Sequence, residues 1–206
     1  MDSLTQIVLG AAVGEAVLGK KIGNKAILWG AIAGTIPDLD VLLRCFTDDI
    51  SATQMHRGFS HSVVFAVLIA PILGWLAKKI HFKIKDVSFK DWTKLFFWTT
   101  VTHPLLDAHT TWGTQFFWPL NYRLAYQNIF VVDPLYTLPF LFFLILTFCY
   151  KKENSLRSKF NKIGLSISTT YLVITILFKW VSFNEFEKGL KSQNISYLEM
   201  DTKPSP

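Results

Sequence analysis

Residues 63–77, VVFAVLIAPILGWLA, carry no charged side chain and set large aliphatic and aromatic residues almost end to end. Two further runs of this kind follow, LYTLPFLFFLILTFCY at 135–150 and SISTTYLVITILFKW at 166–180. Such runs approach the ~20 apolar residues that a bilayer-spanning helix needs. Working outward from them, six stretches of near-spanning length emerge: 4–19, 26–43, 60–77, 95–111, 134–150 and 164–181. The first two are less uniform, because they include Glu15, Asp38 and Asp40 among many small residues. Gly10, Gly14, Gly30 and Gly34 suit helices packed backbone to backbone. The expected fold is therefore all-α, a multi-pass transmembrane bundle of about six helices. Residues 1–181 would form the membrane-embedded domain and 182–206 a tail outside it.

Composition agrees. Of 206 residues 50% are apolar and only 17% charged, where a soluble domain has about 25% charged. Disorder needs the opposite balance. A disulfide scaffold needs more than Cys45 and Cys149. The first stretch has polar residues at its opening and no basic start, so it reads as part of the bundle and not as a cleaved signal peptide.

The net charge of +6 invites a nucleic-acid reading, but the placement of the basic residues argues otherwise. Most fall in three loops on one side of a six-span chain: Lys20, Lys21 and Lys25, then Lys78 to Lys94, then Lys151 to Lys162. Basic residues near span ends stay cytoplasmic. Both termini are thus expected on the non-cytoplasmic side of the cell membrane, with the lysines facing anionic lipid and no nucleic acid as partner.

The same sorting gathers a second class of residue. His56, His61, His103 and His109 fall on the outer side with Asp2, Asp38, Asp40, Asp107 and Asp133, whereas His81 does not. Ionisable groups at membrane depth are costly unless paired or bound to a metal. In Pro37-Asp38-Leu39-Asp40, Pro37 breaks a helix and two carboxylates stand two apart. Carboxylate and imidazole together suit zinc or a similar divalent ion; the plainer alternative is a helix cap and a solvated loop acid. In His56-Arg57-Gly58-Phe59-Ser60-His61, two imidazoles flank a turn, Arg57 offers a planar donor fork for an anionic group, and Ser60 is placed to cap the next helix. The alternative there is a polar turn facing water. His103 and Asp107 share one helical face at a spacing of four, as two ligands, as a ligand with its orienting partner, or as a satisfied core pair. His109 is on another face. Trp112 to Pro119 reads as an interfacial aromatic belt or a lipid entrance, Asp133 as a cap or a ligand, and Glu15 as needing a partner inside the bundle. No HExxH, GxSxG, GxGxxG or Walker A segment is present.

The segments MDSLTQIVLGAAVGEAVLG, GAIAGTIPDLD, HRGFSHS, THPLLDAHTTWGTQFFWP and IFVVDPLYTLP, in this order over roughly residues 1–150, resemble a bacterial family of inner-membrane metal-dependent hydrolases. That family is remotely similar to zinc-dependent phospholipase C. The resemblance implies a helical membrane bundle, a divalent metal site and hydrolysis of an unspecified substrate. Its motifs fall on Asp38, Asp40, His56, His61, His103 and Asp107. Relatives in one branch carry His where this chain has Gln6, and they continue into a soluble region after the last span.

These readings converge on one expectation. Asp38, His56, His61, His103 and Asp107 would hold a zinc-like ion, Asp40 would be a further ligand or a general base, and Arg57 would steady a small or lipid-like anionic substrate. A metal there would lower the pKa of bound water from ~15.7 to about 7. Two rivals are a membrane metal transporter or sensor and a non-catalytic scaffold stabilised by its metal.

Overall fold

The structure is a computed structural model that describes residues 1–45 and 57–204. Among the described residues there are six α-helices: α1 (Ser3–Ile22), α2 (Asn24–Thr35), α3 (Val63–Ile80), α4 (Phe89–Asp107), α5 (Pro134–Cys149) and α6 (Ser155–Ser192). Two 3-10 segments, Pro37–Cys45 and Phe59–His61, lie between α2 and α3. Among the described residues there is no β-strand, only an isolated bridge between Thr114 and Leu124. The all-helical bundle is as expected.

α1 is the central helix. Asp2 caps its start by accepting from the Thr5 backbone N–H at 3.0 Å, and most of its length is buried. Gly23, at φ 59°, turns the chain back into α2. The resulting hairpin closes through the four glycines. A Cβ built on Gly34 would meet the Gln6 carbonyl oxygen at 2.7 Å, and Cβ atoms on Gly10 and Gly30 would run into the opposite backbone. Small residues let the two backbones touch without a side-chain layer between them.

α2 corrects the expected second span. It stops at Thr35, and with twelve residues it reaches about 18 Å, less than the ~30 Å of a bilayer core. Pro37 has no N–H to offer the Ala33 carbonyl, which accepts from Ile36 instead at 3.3 Å. The chain continues as the Pro37–Cys45 3-10 segment, so Asp38 and Asp40 sit beyond the α-helix.

α3 buries Ala66, Ala70, Gly74 and Ala77 and exposes Val67, Leu68, Ile72 and Trp75. Small residues inward and large apolar ones outward is the pattern of a helix bathed in lipid. Its cap is Ser62, which accepts from the Phe65 N–H at 3.1 Å, in place of the expected Ser60. Among the described residues, α3 and α6 are the two helices long and apolar enough to cross a membrane, and α5 is apolar but shorter. α6 also departs from expectation: it continues past residue 181 to Ser192, so much of the expected tail is helical.

Glu15 finds its partner in Arg157. The guanidinium donates from Nε to Oε1 at 2.7 Å and from Nη2 to Oε2 at 2.5 Å, while Nη1 donates to Asn24 Oδ1 and to the Tyr150 carbonyl. The pair ties the last turns of α1 to the first turn of α6.

Candidate metal centre

At the other end of α1, three chain segments meet. The Pro37–Cys45 segment brings Asp38, the turn before α3 brings His61, and the last turns of α4 bring His103 and Asp107. The candidate ligand atoms of these four residues all lie within 4.8 Å of one another. His61 Nε2 is 3.2 Å from His103 Nε2, 3.4 Å from Asp38 Oδ1 and 3.6 Å from Asp107 Oδ2. His103 Nε2 is 3.3 Å from Asp38 Oδ1 and 3.9 Å from Asp107 Oδ2. Four ligands at about 2.0–2.2 Å around a tetrahedral zinc would be separated by ~3.3–3.6 Å. The observed separations bracket that range.

The outer nitrogens of the two imidazoles explain why their inner ones converge. His103 Nδ1 lies 2.6 Å from the Gly34 carbonyl oxygen, which can only accept, so Nδ1 carries the proton. That carbonyl is available because α2 ends at Thr35, and the glycine hairpin holds it against α4. On the His61 side, Ser60 Oγ donates to Asp40 Oδ2 at 2.6 Å and thereby turns a lone pair toward His61 Nδ1 at 3.0 Å. With Nδ1 engaged in each ring, Nε2 is the nitrogen that faces the other ring and the carboxylates. Asp107 Oδ2 is buried with no hydrogen-bond partner. Two imidazole nitrogens and two carboxylate oxygens facing one another in a buried pocket form a group that could hold a metal ion. The outer N–H of each histidine, held by a carbonyl or a polar relay, is the usual support of a metal-bound imidazole.

The remaining sequence candidates divide. His56 lies outside the described residues. Asp40 is brought to the far side of His61, 3.4 Å from Nδ1, and also accepts from the Arg57 backbone N–H at 3.2 Å. It stands behind the His61 ring and not among the four convergent residues. Arg57, at φ 62°, is buried; its Nη1 donates to Thr110 Oγ1 at 3.0 Å and its Nε lies 3.4 Å from Asp107 Oδ2. The guanidinium thus borders the candidate centre through Asp107. Asp133 caps α5, accepting from the Leu135 and Tyr136 N–H groups and from the Tyr171 hydroxyl. His109 bonds Asn128 at 2.9 Å, away from the cluster. His81 accepts from Trp29 Nε1 at 2.9 Å, and burial together with the Lys25 charge pushes it below the ordinary imidazole range.

Other contributors are hard to read in one dimension. Gln6 donates to Asp107 Oδ1 at 2.8 Å, and the amino group of Met1 lies against the same oxygen. Thr110 and the Gly34 carbonyl are backbone- or packing-dependent partners with no motif of their own. The aromatic loop contributes more than a surface: Phe116 O accepts from the Val63 N–H at 3.0 Å, Arg57 O accepts from Gln115, and Trp118 stacks edge-on to Phe59 at 5.0 Å. These contacts fix the turn that presents His61. The outward side chains Trp112, Phe117 and Tyr122 remain more than half exposed, as an interfacial belt would be.

Comparison with known proteins agrees on the setting. Over 115 residues the chain is 30% identical to inner membrane protein YbcI of Escherichia coli (strain K12), a match covering 56% of this chain and 64% of that relative. It thus spans just under two thirds of the relative's length. No solved structure matches. A family model described as YdjM inner membrane protein matches residues 1–186, so a membrane-embedded helical bundle with a buried His/Asp cluster is the form taken here by a member of the YdjM inner membrane protein family.

Proposed function

We propose that the chain is a multi-pass, metal-dependent hydrolase acting at the non-cytoplasmic face of the inner membrane on a phosphoester or another lipid-like anionic substrate. The observation that carries this reading is the convergence of His61, His103, Asp38 and Asp107 with both outer imidazole nitrogens already engaged. A zinc-like ion held by these four residues would supply a polarised water as nucleophile at neutral pH. Asp40 and Ser60 keep the His61 proton on Nδ1, which leaves Nε2 able to bind. Arg57 balances part of the carboxylate charge from beside Asp107, where its fork can also meet an anionic group. Asp38 is the most accessible of the four, with 29% of its side chain exposed, and marks the side from which a substrate would approach. The resemblance to metal-dependent hydrolases favours hydrolysis over transport. So does the position of the ligands, which all gather at one end of the bundle, whereas a transporter site belongs near the midplane.

One observation favours a non-catalytic scaffold. His61, His103 and Asp107 are almost wholly buried and, with Asp38, complete a four-ligand set, as structural zinc sites do. The two readings separate in one experiment on the purified full chain: metal content by mass spectrometry together with turnover of bis-p-nitrophenyl phosphate and p-nitrophenyl phosphate, with and without chelator. The hydrolase reading expects near-stoichiometric metal and turnover, both lost on chelation and in His61→Ala. Turnover that survives both treatments overturns it. Metal whose removal lowers the melting temperature, with no turnover to lose, establishes the scaffold.

A further inference from the structure

A cavity of about 740 Å³ opens where the end of α1, the α5–α6 loop and the first turns of α6 meet. Four lysines line it from all three segments: Lys20 from α1, Lys152 from the loop, and Lys159 and Lys162 from α6. The acidic residue in the lining is Glu153, so positive charge prevails. Lys152 is held in place by donating to the Lys21 carbonyl at 3.2 Å. None of the ion pairs among the described residues uses Lys20, Lys159 or Lys162. Ile163 and Ile167 add apolar side chains to the lining. Beyond Ile167 the same helix face carries Thr170 and then the exposed apolar Ile174 and Leu177. Positions three, four and seven apart share one face of a helix.

We infer that this cavity is a binding site for an anionic phospholipid, its phosphate among the lysines and an acyl chain along the Ile163–Ile167–Ile174 strip. A free anion would match the lysines alone; the strip that leads away from them selects an amphiphile. Basic pockets between membrane helices are the usual seat of acidic headgroups. The site is separate from the candidate metal centre: Gln6 and Lys20 stand about 21 Å apart along α1, so the lipid would sit at the lysine-rich end of the bundle. The inference does not depend on the metal or hydrolase readings.

The test uses the full chain in nanodiscs of phosphatidylcholine with a minor fraction of phosphatidylglycerol, followed by extraction and native mass spectrometry of retained lipid. Wild-type protein keeps phosphatidylglycerol over phosphatidylcholine, and excess inorganic phosphate does not remove it. Lys159→Gln with Lys162→Gln lowers retention about fivefold for each lysine lost, whereas Lys159→Arg with Lys162→Arg preserves it. All four lysines are exposed at the surface, so melting temperature and metal content should match wild type in both pairs. Equal retention of the two lipids by wild type, displacement by inorganic phosphate, or undiminished retention in a folded glutamine pair overturns the proposal. The first two comparisons are made on wild type alone and stand even if a variant fails to fold.

Discussion

The two ends of α1 both bury carboxylates, and they treat them in opposite ways. Near Ser155, Glu15 meets a guanidinium that donates to both of its oxygens, and Asn24 and the Tyr150 carbonyl take up the rest of that guanidinium. Donors and acceptors there are matched, and the ion pair is complete within the chain. Near Gln6, two carboxylates and two imidazoles face one another, and a buried Asp107 oxygen has no hydrogen-bond partner. Arg57, Gln6 and the Met1 amino group approach Asp107, and its Oδ2 still has no hydrogen-bond partner. The difference is one of matching: at the closed end each oxygen of one carboxylate meets its own donor, whereas the open end gathers two carboxylates and two imidazoles into a group that could hold a metal ion.

Breaking the closed end should produce the larger change in stability. Arg157→Ala leaves Glu15 charged and unpaired in the bundle, a cost of about 3–5 kcal/mol, read as a large fall in melting temperature in detergent with metal content per folded molecule unchanged. The double variant Glu15→Gln with Arg157→Met should recover most of that loss. If Arg157→Ala is as stable as wild type, the pairing account of this end fails.

A smaller effect is expected behind His61. Asp40→Asn or Ser60→Ala removes the relay that keeps the proton on Nδ1, and loss of such an outer partner typically weakens metal binding by about 10–100-fold. Competition titration with a zinc chelator measures it. Because bound imidazoles must be neutral, the affinity of wild type should also fall as the pH is lowered. Unchanged affinity in both variants would place Asp40 in a role independent of the metal. The smallest effect is at Asn24→Ala, where one part-buried hydrogen bond to Arg157 is lost for about 1 kcal/mol, with chelator-competed affinity unaltered. A change in metal binding there would mean that the two ends are coupled through the α1–α2 hairpin.

The candidate site was partly legible because its ligands come in short local pairs. His103 and Asp107 are four apart on a helix, and Pro37 next to Asp38 announces the end of α2. The partners that orient those ligands were not legible in the same way. The Gly34 carbonyl is a backbone atom released by a helix end, and Ser60 was read as a helix cap when Ser62 performs that task. Asp40 and Asp38 look equivalent in the sequence, yet one faces the cluster and the other lies behind a ring. Two residues apart on a tight 3-10 turn point in different directions. Glu15 called for a partner from its burial, but nothing local could name Arg157, which is 142 residues away.

The apolar runs, the small-residue stripes and the clustering of His with Asp were determined by the amino-acid sequence itself, because hydrophobic period, helix breakers and side-chain chemistry are local properties. Which acid meets which base, which ring nitrogen is tied up, and which carboxylate is left unmatched were decided only when α1, α2, α4 and α6 packed together. Those outcomes depend on distances between segments far apart in the chain, and at those distances a difference of one ångström separates a hydrogen bond from none.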